Sequence, residues 1–105
     1  MNIEERVNVS ILTKYYGKLL TDKQRDIVTM YIDNNLTLVE ISEELGVSRQ
    51  AVKDALDNAL DLLNSFEGKL GFLARDQKIK TLLEDKTLSE IDMATRLQII
   101  QILED

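Results

Sequence analysis

One stretch limits what this chain can become more than any other. Between Leu36 and Ala55 it reads L-T-L-V-E-I-S-E-E-L-G-V-S-R-Q-A-V-K-D-A. Leu38, Ile41 and Leu45 put apolar side chains on one face of a short helix. Gly46 falls where that helix must stop and turn, and glycine enters the left-handed conformation without a Cβ clash. Val47 can plug the core after the turn, and Ser48 is placed to cap a second helix by accepting from an unpaired backbone N–H. Ala51, Val52, Ala55 and Leu56 give that helix a buried face, with small alanines allowing close helix approach. This is a helix-turn-helix over residues 36–56. Its second helix leaves Arg49, Gln50, Lys53 and Asp54 outward at its start, the positions that face the major groove in a DNA reader.

Charge pulls the other way. From Leu36 to Leu63 there are two basic residues, Arg49 and Lys53, against six acidic ones (Glu40, Glu43, Glu44, Asp54, Asp57 and Asp61), a local net charge of −4. Phosphate contacts supply most of a nucleic-acid binder's affinity and require Lys or Arg. The whole chain carries −6 with a pI near 4.6, the wrong sign for general binding to nucleic acid or to anionic membranes, although a small basic patch remains compatible with it.

The 105 residues suit one helical domain, residues 1–105, with a C-terminal helical extension over 72–105. The chain has no cysteine and no histidine, which removes disulfides, the usual general base and the usual soft metal ligands. An enzyme is therefore the least favoured class: no catalytic residue, metal site or cofactor is expected. The charged, polar start M-N-I-E-E-R-V-N-V-S does not resemble a secretory leader, and no apolar run reaches membrane-spanning length, so a cytoplasmic protein is expected.

With no proline and no sustained alternation, the pattern predicts an all-α fold. A first helix is expected over about Ile3–Leu20, its apolar positions including Ile3, Val7, Ile11, Leu12, Tyr15, Tyr16, Leu19 and Leu20. Thr21 to Gln24 is a capping box opening a second helix with Ile27, Val28, Tyr31 and Ile32 inward; Thr37 with Glu40 is another, and Thr87 with Glu90 a third, before a last helix. The helix from Ser48 is long, with Val52, Leu56, Ala59, Leu63, Phe66 and Leu70 forming a heptad-like seam, and Gly68 and Gly71 marking its end or a bend. That seam and a many-sided apolar C-terminal helix predict a homodimer through Leu56, Leu63, Phe66, Leu70, Leu97 and Ile100.

Other residues admit two readings. Lys23 and Arg25, in the first turn of the second helix, are either phosphate contacts or ordinary exposed charge. Asp54, Asp57 and Asp61 step along one helix face, far more often a solvated row than a metal site. Tyr15, Tyr16 and Tyr31 could stack on bases, but at this spacing they suit a core with the hydroxyl at the surface. Met30 and Met93 read as gap fillers.

The capped T-D-K-Q helix followed by T-L-x-E-I-x-E-x-L-G-V-S-R-Q-A-V resembles region 4 of bacterial sigma factors. More closely, with Tyr15-Tyr16, Leu19-Leu20 and L-T-D-K-Q-R at Leu20–Arg25, it resembles the YlxM-like (UPF0122) family of small bacterial helix-turn-helix proteins. The resemblance covers about Asn8 to Leu70. It implies a sigma-region-4-like helix-turn-helix bundle with a long fourth helix and extra C-terminal helices, as a dimer. It also implies a part in the signal recognition particle pathway, with signal recognition particle components or nucleic acid as partners. Two functions stay open: an accessory protein docking a protein or ribonucleoprotein through Ser48, Arg49, Gln50, Lys53, Asp54, Lys23 and Arg25, or a sequence-specific DNA-binding regulator.

Overall fold

The computed structural model describes residues 1–84 and 93–104. The fold is all-α. Six helices appear among the described residues: α1 (Ile3–Tyr16), α2 (Asp22–Val28), α3 (Leu38–Leu45), α4 (Arg49–Leu70), α5 (Phe72–Glu84) and α6 (Met93–Glu104). A 3-10 turn, Gly17–Leu19, follows α1, and a π turn, Thr29–Asp33, extends α2. Where one helical domain is expected, the contacts divide the chain into two compact units, Met1–Leu70 and Gly71–Asp105.

In the first unit local chemistry sets each boundary. The Asn2 side chain caps α1 by accepting from the Glu5 amide at 2.8 Å. Thr21 and Gln24 form a reciprocal capping box at α2, and Thr37 and Glu40 another at α3. Gly46 ends α3 with φ +67, the left-handed value a β-branched residue resists. Ser48 Oγ accepts from the Ala51 amide at 3.1 Å and opens α4. Gly68 lies inside α4 and marks no end; the break comes at Gly71, whose φ is +64.

The 22-residue α4 is the spine on which α1, α2 and α3 pack. Val52, Leu56, Ala59 and Leu63 are buried along its inner seam against a core that includes Leu12, Tyr16, Ile27, Val28 and Ile41. Tyr16 is 1% exposed; its hydroxyl donates to Glu67 at 2.6 Å, so the hydroxyl meets a carboxylate of α4.

The inward face of α1 differs from the expectation. Val9, Leu12 and Tyr16 are buried, while Ile3 is 80% exposed and Val7 52% exposed. The helix carries apolar residues on two faces, and periodicity cannot say which meets α4. Its α-helical part also stops at Tyr16, short of the predicted Leu20, and Leu19 is exposed.

In the second unit α5 and α6 pack on each other, with an ion pair between Lys80 and Glu104. Leu73 and Leu83 are buried, but α6 has no buried residue, and Met93 is exposed where a gap filler is expected. The predicted capping box at Thr87 and Glu90 lies outside the described residues.

Candidate nucleic-acid or partner interface

The exposed end of α4 carries Arg49, Gln50, Lys53 and Asp54, all at the surface, as the helical spacing requires. Their electrostatic states differ. Gln50 donates to Asp54 Oδ1 at 2.8 Å, and Lys53 Nζ pairs with Asp57 Oδ2 at 2.9 Å. Both are i,i+4 partnerships along the helix surface. The hydrogen bond and the charge of Asp57 raise the Lys53 pKa, so this ammonium is firmly cationic. Arg49 has no carboxylate partner among the described residues.

Two open hollows flank Arg49. One, of about 470 Å³, is lined by Arg49, Gln50 and Lys53. The other, of about 410 Å³, is lined by Arg6, Tyr31, Asn35, Leu36, Thr37, Leu38, Val39 and Arg49. Among the described residues, every charged residue lining either hollow is a cation, in a chain whose net charge is −6. The motif's carboxylates sit on the exposed Glu43 and Glu44 of α3 and along α4, where Asp54 and Asp57 contact the hollow-lining Gln50 and Lys53.

Arg6 is the residue that sequence reasoning missed. One amino group of its guanidinium donates to the Tyr31 carbonyl at 2.6 Å, and also reaches the Ile32 carbonyl and Asn35 Oδ1. The guanidinium lies 5.1 Å from the centroid of the Tyr31 ring. It ties α1 to the turn that launches α3, where Asn35 holds a left-handed φ of 56. Its partners lie at least 25 positions away in sequence, so no local spacing signals it.

Lys23 and Arg25 do not join the α4 end: neither lines the two hollows, and Arg25 pairs with Asp22 at 2.9 Å. The residues expected to hold a dimer together separate as well. Leu56 and Leu63 are buried in the core of the first unit, which corrects their assignment to an interface: neither has surface left for a partner. Phe66 is half-buried with its ring 6.1 Å from Tyr16; Leu70 and Leu97 are exposed, and Ile100 is half-buried. Among the described residues, no group of His, Cys, Asp and Glu is placed to hold a metal, and no helix is long and apolar enough to cross a membrane.

A left-handed glycine between two capped helices, the second with an exposed and partly basic start, defines a helix-turn-helix protein. Residues 3–103 match the family model described as "Putative helix-turn-helix protein, YlxM / p13 like", and the chain belongs to this family, UPF0122. It is 47% identical over 76 residues to a UPF0122 protein of Caldanaerobacter subterraneus, a match covering 72% of this chain and 65% of that relative. A UPF0122 protein of Clostridium kluyveri is 41% identical over 78 residues, covering 74% and 70%. The UPF0122 protein YofM of Lactococcus lactis is 33% identical over 109 residues, covering 100% of this chain and 97% of its own length. The match thus spans just under two thirds of the Caldanaerobacter relative but nearly all of the Lactococcus one.

Proposed function

We propose that this chain is a non-enzymatic accessory protein of the signal recognition particle pathway that docks a ribonucleoprotein partner through the exposed end of α4. The helix-turn-helix family supports a binding role; the pathway rests on the sequence resemblance. The observation that carries the partner class is the division of charge on α4. Arg49 and Lys53 line the two hollows, and Asp54, Asp57 and Asp61 form a carboxylate row beside them, with Asp54 bonded to Gln50 and Asp57 paired with Lys53. RNA phosphates suit the first surface and a basic protein suits the second. A ribonucleoprotein offers both.

The second reading is a sequence-specific regulator of duplex DNA. The intact turn geometry at Gly46 and the capped start of α4 favour it. A long carboxylate row beside the reading positions opposes it, because that row repels a duplex over a Debye length of about 8–10 Å. Titration of the protein with signal recognition particle RNA, with the particle's GTPase and with duplex DNA, each across a salt series, separates the two. Tighter binding to the particle's components supports the proposal; salt-robust, sequence-specific duplex binding that ignores Asp54→Asn and Asp57→Asn overturns it.

The same family resemblance supports a homodimer, and we place its interface on the apolar surface of the second unit. Those 35 residues leave Leu82, Leu97 and Ile102 exposed. Helical units below about 40 residues usually need a further partner to bury enough apolar surface.

A further inference from the structure

We propose that the hollow between Arg6 and Arg49 seats a phosphate group. Two arginines from helices far apart in sequence line it, and among the described residues no carboxylate does. Among the described residues Arg49 has no carboxylate partner, whereas its neighbour Lys53 pairs with Asp57. Arg6 makes all its hydrogen bonds through one amino group, so its Nε and its other amino group retain unused donors. The Arg49 guanidinium can offer a fork that matches a phosphate's oxygens, and Arg6 can add single donors, because both of its forks include the amino group already engaged. The floor adds compatible groups: Leu38 and Val39 open α3, and their amides precede the first intrahelical bond, which Ile41 makes to the Thr37 carbonyl.

The carboxylate that follows the lining residue Val39 is engaged elsewhere. Glu40 accepts from the Thr37 amide at 3.0 Å and does not line the hollow. Arg49 also lines the neighbouring hollow with Gln50 and Lys53, so a phosphodiester chain lying along the α4 end would meet Arg6, Arg49 and Lys53 in turn. The source of the phosphate, a nucleic-acid backbone, rests on the proposed function; the seat itself does not.

Nuclear magnetic resonance titration tests it, following the Leu38 and Val39 amides and the Arg49 Nε. The probes are inorganic phosphate, a ten-nucleotide single-stranded RNA, and sodium chloride at matched ionic strength. Arg49→Glu and Val39→Glu are the variants. Val39 is 49% exposed, and an acidic side chain in the first turn of α3 favours that helix, so folding is kept while an anion is repelled. Phosphate and RNA should both shift these signals beyond the chloride control, and each variant should weaken RNA binding by about tenfold or more. Shifts with phosphate but not RNA would uphold the seat and remove the ribonucleoprotein reading. RNA shifts confined to Gln50 and Lys53 would overturn the seat and leave that reading standing. No shift beyond chloride, or undiminished shifts in both variants, would overturn the seat.

Discussion

The two units of this chain are both helical, yet they bury apolar residues to very different extents. In Met1–Leu70, α4 gathers three other helices around a continuous buried seam, and Ile41, Val52, Ala59 and Leu63 are sealed from solvent. In Gly71–Asp105 only Leu73 and Leu83 are buried among the described residues, while Leu97 is 58% and Ile102 72% exposed. A helix stabilises a fold only through the face it hides. The first unit seals a core yet still exposes Ile3, Val7 and Leu70; the second buries only Leu73 and Leu83 among its described residues.

The largest expected effect tests this contrast directly. Leu63→Ala should cost about 2–5 kcal/mol, the range for emptying a fully buried leucine site, whereas Ile102→Ala should stay within about 0.5 kcal/mol for a monomer, as exposed positions do. Denaturant unfolding of both variants gives the comparison. Sedimentation sharpens it: the wild type should run as a dimer at tens of micromolar, and Leu97→Lys should lower its mass. A monomeric wild type removes the second unit's assigned role.

Glycines give the next effect. Gly46→Val should cost roughly 1–2 kcal/mol or more, since a β-branched residue is strained at positive φ. Gly68→Ala should do the reverse and stabilise by about 0.5–1 kcal/mol. Gly68 is helical, and an added Cβ there meets nothing within 4 Å. Opposite signs in thermal unfolding confirm that only one of these glycines is required by its backbone.

The smallest effect concerns pH. Hydrogen bonds from the Thr37 amide and hydroxyl hold the Glu40 carboxyl below its ordinary value. A depressed folded-state pKa means its contribution is full above the ordinary carboxylate value and is lost as pH falls through the lower, folded one. Glu40→Gln retains the reciprocal cap without the titration, so its stability should fall less between neutral and acid pH than that of the wild type. Parallel curves would remove Glu40 as a source of acid sensitivity.

What the sequence makes legible is local. Thr21 with Gln24, Thr37 with Glu40, Gly46 and Ser48 each act within about one helical turn, and each sits where its spacing indicates. The α4 seam is legible for the same reason, although its members Leu56 and Leu63 serve the core of the first unit. What escapes is non-local. The choice between the two apolar faces of α1 depends on where α4 lies, and the contact of Arg6 with Tyr31 and Asn35 depends on the closed fold. The net charge of the motif also does not show which carboxylates are engaged: Asp54 by Gln50 and Asp57 by Lys53.

Whether the exposed end of α4 binds a nucleic-acid component is decided by the salt dependence of RNA binding. Fluorescence anisotropy with signal recognition particle RNA should give a slope of log K on log salt near −2, because Arg6, Arg49 and Lys53 provide three cations and single strands release about 0.7 counterion per contact. The double change Arg49→Ala, Lys53→Ala should abolish binding while unfolding remains as in the wild type. Binding that keeps its strength and its slope in that double variant would contradict the account.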